Sequence, residues 1–93
     1  MLTLSNEAAL LIDSLVHDAD LPPGAGLRIA RRDDHTALVM SLTPEPGPHD
    51  EVVRDGAVTV YLGPLAAERL ADQTLDAQTT AAHSAFYLRG AGE

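Results

Sequence analysis

The chain has 93 residues, no cysteine and a net charge of −8, from fourteen carboxylates against six arginines and no lysine. That length predicts a single domain over 1–93 with a small core, and 45% apolar residues are too many for intrinsic disorder. The acidity disfavours nucleic acid and anionic membranes, and the missing thiols remove disulfides, thiolate nucleophiles and every Cys-ligated metal site.

In chain order, Leu2-Thr3-Leu4 alternates like a short strand and Ser5 is a good helix N-cap. Ala8, Leu11, Ile12, Leu15 and Val16 then recur at helical spacing, and Glu7 suits the positive end of that helix. The helix fades at His17-Asp18-Ala19-Asp20 and cannot pass Pro22-Pro23-Gly24. Gly26 opens a strand with Leu27 and Ile29 on one face and Arg28 and Ala30 on the other. A charged bend, Arg31 to His35, follows. Beyond it Leu38, Met40 and Leu42 alternate with Ala37, Val39 and Ser41, a pattern that predicts a central strand.

Three prolines between positions 44 and 48 make a stiff surface connection. Residues 51–54 and 57–62 flank Asp55-Gly56, the strongest hairpin signal in the chain. Gly63-Pro64 ends the second of these strands and opens a short helix at 65–70. Residues 74–79 and 84–88 read as a last strand pair around Ala81-Ala82-His83. Strands outnumber helices and no βαβ alternation appears, which predicts an α+β domain built on mostly antiparallel sheet. The longest apolar run, 8–12, is far too short to span a membrane and lacks the basic flank of a signal peptide; cytoplasmic residence is the expectation.

Few residues carry chemistry. Asp33, Asp34 and His35 have metal-compatible donors, but consecutive residues in an extended segment point to opposite faces, so a solvated turn with local Arg–Asp pairing is favoured. His49-Asp50-Glu51 has the same defect. His17 fits a helix C-terminus and His83 a turn. The serines lack a G-x-S-x-G setting, and Pro23-Gly24-Ala25-Gly26 lacks the lysine and following helix of a phosphate loop. No catalytic site emerges, and a non-enzyme is expected.

Leu2-Thr3-Leu4-Ser5 before an alanine-rich helix, then Gly26-Leu27-Arg28-Ile29, resembles the start of the HesB/IscA family, the A-type iron–sulfur carriers. The resemblance continues through Asp50, Val52, Asp55, Gly56, Val58 and Val60, then Leu70, Leu75-Asp76, Phe86 and Leu88, and so spans residues 2–88. It implies a β-sandwich-like or barrel-like domain with an N-terminal helix and one short helix after the central hairpin. Family members place one cysteine in a longer, glycine-containing bend and a Cys-Gly-Cys near the C-terminus, since soft thiolates suit iron and its clusters. Here the bend at 31–35 holds no sulfur, and the tail after Leu88 is Arg89-Gly90-Ala91-Gly92-Glu93.

Two functions follow from the resemblance. The first is a non-catalytic, cysteine-less relative in iron–sulfur assembly, with no cofactor and an unidentified protein partner. The second is an unconventional iron or metal binder using Asp33, Asp34, His35 and carboxylates near Glu93. With no shared thiolate to hold subunits together, and −8 on each chain, a monomer or weak dimer is expected.

Overall fold

The computed structural model describes residues 1–32, 37–56 and 58–90. Strand β1 (Thr3–Leu4) leads into helix α1 (Asn6–Asp18), then β2 (Gly26–Arg31) and β3 (Leu38–Thr43). Strands β4 (Glu51–Asp55) and β5 (Val58–Leu62) follow, then helix α2 (Pro64–Arg69) and strands β6 (Thr74–Thr79) and β7 (Ser84–Arg89).

The strands form two sheets, β1-β6-β7 and β3-β2-β5-β4. Three of the five strand pairings are antiparallel; β1 with β6 and β2 with β5 run parallel. The fold is α+β with mostly antiparallel pairing, as the pattern predicts. The two parallel pairs were not legible, because both join strands distant in sequence.

Alternation places Leu27, Ile29, Val53, Val58, Val60 and Leu62 on the inner face of the four-stranded sheet. Leu4, Leu75 and Ala77 come from the other sheet, Ala8 and Ile12 from α1, and Ala66 and Leu70 from α2. Strands β2 and β5 are the interior pair of the four-stranded sheet, and all five residues of β5 are buried.

The expectation for β3 is corrected. It lies at the edge of its sheet, and none of its residues is fully buried: Val39, Met40 and Ser41 are exposed and the other three are half-buried. Its small and apolar residues imitate a strand covered on both faces, but only Leu38 and Leu42 pack against the core.

Local chemistry explains where the helices begin and end. The Ser5 hydroxyl accepts the Ala8 N–H at 3.0 Å, capping α1. At the other end the Leu21 N–H reaches the Val16 carbonyl and the Asp20 N–H the His17 carbonyl, with Asp20 left-handed at φ 55°. That pair of bonds is a Schellman closure. Pro64 occupies the first turn of α2, where its missing N–H leaves no bond unmade.

The β4–β5 hairpin forms where Asp55-Gly56 predicts it, with one shift. Asp55 still pairs with Val58, and Gly56 turns the chain at φ 61°.

Candidate functional site

The bend between β2 and β3 is where the sequence concentrates charge. Arg31, the last residue of β2, is exposed; Arg32 is exposed too, and its N–H donates to the Ala37 carbonyl at 3.0 Å. Asp33, Asp34 and His35 lie outside the described residues, as does Glu93.

Beside the root of the bend is an open cleft of about 410 Å³. Arg28 and Arg31 line it together with Ala30, Gly63, Pro64 and Leu65. The Gly63 N–H bonds the Ile29 carbonyl at 2.9 Å, and this bond carries the chain from β5 into α2 against the end of β2. A Cβ on Gly63 would sit 3.1 Å from that of Ala30, which keeps the floor of the cleft tight.

The most organised polar contact in this region joins Arg28 to Asp50. Nε donates to Oδ2 at 2.7 Å and Nη2 to Oδ1 at 3.0 Å, a bidentate pair. The Gly47 N–H adds a third bond to Oδ2 at 2.7 Å. The Asp50 side chain is 1% exposed and that of Arg28 33%. The guanidinium, aided by the Gly47 N–H, holds the Asp50 carboxyl below its ordinary range against the opposing effect of burial. In return, Asp50 raises Arg28.

The contact fastens the proline-rich connection across the outer face of β2. Glycine at 47 leaves room for the pair, since a Cβ there would lie 2.7 Å from Arg28 Nη2 and would push the guanidinium aside. The three neighbours His49, Asp50 and Glu51 therefore separate. Asp50 turns inward to Arg28, whereas His49 and Glu51 are exposed.

A second polar cluster surrounds Asp76, across the other sheet. Oδ1 accepts the Ser5 hydroxyl at 2.6 Å and the Ala77 N–H at 2.8 Å; Oδ2 accepts the Tyr87 hydroxyl at 3.0 Å. Arg89 Nε lies 3.0 Å from Oδ2 without its N–H aimed at that oxygen, so this contact is Coulombic. The Ser5 hydroxyl is the largest influence lowering the Asp76 carboxyl, and the same carboxylate raises the Tyr87 phenol.

His17 is exposed at the end of α1. His83 closes a turn in which its N–H reaches Thr80 Oγ1 and its carbonyl accepts the Thr80 N–H and hydroxyl. Among the described residues no three His, Asp or Glu side chains converge as a metal site. An iron–sulfur cluster would need thiolates that the sequence does not contain, so the residues present do not fit one.

No protein-family model and no curated protein matches the sequence. Solved structures do match, over nearly the whole chain. Escherichia coli SufA, described as involved in the biosynthesis of iron–sulfur clusters, superposes with a TM-score of 0.76 at 21% identity, covering 96% of this chain and 79% of its own. IscA, solved with a [2Fe-2S] cluster, gives 0.67 at 22% identity over 97% and 82%. A protein from Aquifex aeolicus gives 0.74 at 16% identity over 96% and 90%.

This chain has the A-type iron–sulfur carrier fold. The two sheets, N-terminal helix and short second helix that the resemblance implies are those observed. Sequence patterns gave Asp76 only as a matching position, and Asp50 as a matching position and as one of three adjacent metal-compatible donors that were set aside. Their partners, 22 and 71 residues away, were missed because neither pairing leaves a local periodicity. No helix among the described residues is long and apolar enough to cross a membrane.

Proposed function

We propose that this chain is a cysteine-less member of the HesB/IscA family, acting in iron–sulfur cluster assembly through protein contacts, as an interaction or scaffold component, and not by holding a cluster. One conjunction carries this reading: the fold extends over 96% of the chain, and its 93 residues contain no cysteine. In the family the thiolates bind the iron. Here the polar links Arg28–Asp50 and Ser5–Asp76 connect distant segments directly, side chain to side chain. A domain held in this way retains the surface that a partner would recognise while losing the ligands.

The partner in this reading is a protein, the role is non-catalytic, and the compartment is the cytoplasm, where A-type carriers and their partners would meet. The strong negative charge favours a partner with a basic face.

A graft tests the reading. The bend at 31–35 is replaced by a family-length, glycine-containing bend with one cysteine, and the chain is extended beyond Glu93 with the family's Cys-Gly-Cys tail. Lengthening an exposed loop costs little, about 0.6 kcal/mol per doubling. On anaerobic reconstitution the graft is expected to take up iron or a cluster while the parent does not. A graft that folds with unchanged stability and binds nothing would show that bend and tail are not neighbours, and family membership would fall with it.

A further inference from the structure

Strand β6 is the interior strand of its sheet, yet its two flanks are covered unequally. Strand β7 pairs with it over six residues, whereas β1 pairs only at Thr3 with Thr74 and Leu4 with Leu75. Beyond that point the Ser5 carbonyl accepts the Ala9 N–H, and the chain leaves the sheet as helix α1. Among the described residues, positions 76–79 of β6 therefore have a paired strand on one side only.

The hydrogen-bond pattern fixes which groups this opening presents. The Thr80 N–H bonds the His83 carbonyl, and bonded and non-bonded pairs alternate along an antiparallel ladder. Asp76 and Gln78 therefore bond to β7, while Leu75, Ala77 and Thr79 turn their N–H and C=O groups the other way. The Leu75 carbonyl accepts the Ser5 N–H at 2.9 Å, as that phase requires. The Ala77 N–H is held by Asp76 Oδ1 at 2.8 Å. Next along the edge, the Ala77 carbonyl and the Thr79 N–H face the side where β1 has ended.

These two groups border a groove of about 600 Å³ between α1 and the end of β6. Glu7, Leu10, Leu11 and Ser14 share one face of the helix and form one wall. Leu10 is 67% exposed, although Leu11 beside it packs against the core. Among the described residues lining the groove Glu7 alone is charged, and the flanking Asp76 is answered by Arg89.

We infer that this groove takes an extended segment of a partner protein, which adds to β6 as a strand where β1 stops. Open backbone groups along a strand call for another backbone. In a parallel strand, the mode β1 already uses, one residue opposite Gln78 donates its N–H to the Ala77 carbonyl and accepts the Thr79 N–H. Its two neighbours share the sheet face of Ala77 and Thr79, on the side of Leu10 and Leu11, and are apolar. Alternate positions carry lysine or arginine, because the groove holds Glu7 and the chain carries −8. The inference rests on the reading of this chain as an interaction component and names the kind of segment it binds.

The probe is a fluorescein-labelled peptide, Val-Lys-Val-Lys-Val-Lys-Val, with a control in which every lysine is glutamate. Anisotropy with the native chain is expected to saturate for the lysine peptide only, with amide shifts at 77–79 and at Leu10 and Leu11. Leu10→Lys, on the exposed helix face, should weaken binding by about tenfold or more. Thr79→Pro should do the same, since it removes the N–H on the open side and spares the bonds to β7. Val39→Lys adds the same charge on the other sheet and should leave binding unchanged. No saturation would overturn the inference. Equal weakening by Leu10→Lys and Val39→Lys would also do so, whether or not Thr79→Pro folds. Amide shifts at 77–79 that grow with protein concentration alone would give the groove to a second copy, and the inference would fall. No iron enters the measurement, so a failure here removes this surface while the graft remains the separate test of the scaffold reading.

Discussion

The hydroxyl of Ser5 donates to Asp76 Oδ1 at 2.6 Å across 71 residues of sequence, while its oxygen caps helix α1 by accepting the Ala8 N–H. One side chain thus fixes the start of the helix and ties it to strand β6. Parallel pairing of β1 with β6, Thr3 to Thr74 and Leu4 to Leu75, places the two residues side by side.

Ser5→Ala removes both functions. A lost N-cap costs about 1 kcal/mol, and the lost bond to the Asp76 carboxylate adds to that loss. Denaturant unfolding at neutral pH measures it. Repeated near pH 3, the loss should shrink, because the Ser5 hydroxyl is the main group that keeps Asp76 ionised in the folded state.

Acid should destabilise the fold through two carboxylates. Asp50 and Asp76 are both lowered in the folded state from an ordinary value of 3.8. A lowered folded value means that the unfolded chain binds protons first. The stabilisation is therefore present above about pH 4 and is lost as pH falls through the folded values. Tyr87 has the opposite sign. It is raised from 10.0, so its contribution is present below about pH 10 and is lost at more alkaline pH. Melting temperature against pH should show a plateau between these limits. Asp50→Asn should flatten the acid side.

Arg28→Ala leaves the Asp50 carboxylate buried without its guanidinium. Losing one partner of a fully buried pair costs about 3–5 kcal/mol, and the partial exposure of Arg28 lowers the expectation to about 2–3 kcal/mol. The proline-rich connection should then open, which hydrogen exchange at the Gly47 amide would register as lost protection.

Gly26 allows two backbones to meet. A Cβ there would lie 2.1 Å from the Thr59 carbonyl oxygen, across the parallel β2–β5 pair. Gly26→Ala must push the strands apart and is expected to cost about 3 kcal/mol or more by thermal or chemical unfolding.

Asp20 ends helix α1 at φ 55°, a conformation that glycine adopts without strain. Asp20→Gly should stabilise the protein by up to about 1 kcal/mol, because the Schellman bonds are retained and the steric penalty is removed. A lower melting temperature in this variant would mean that the aspartate side chain contributes more than its backbone strain costs.

Local features were the legible ones. Ser5 as a cap, the stripe from Ala8 to Val16, Gly56 at the hairpin and Pro64 at the start of α2 each act within a few residues, so their patterns identify them. What pairs with what was not legible. The edge position of β3 escaped because Ala37, Val39 and Ser41 look the same to a period-two pattern whether a layer covers them or water does. Periodicity placed Arg28 only on the second face of its strand, with no sign that the connection after β3 returns Asp50 to it. The bend at 31–35 was legible only as charge, and the resemblance, more than its own residues, makes it a place of interest.

A carrier fold without carrier ligands should hold no cluster. Anaerobic reconstitution of the parent chain with ferrous iron and sulfide, followed by visible absorbance and by iron and sulfide analysis after desalting, tests it most directly. The expected result is a colourless protein with iron and sulfide at background and unchanged backbone amide spectra. A stable visible chromophore with matching iron and sulfide would contradict it.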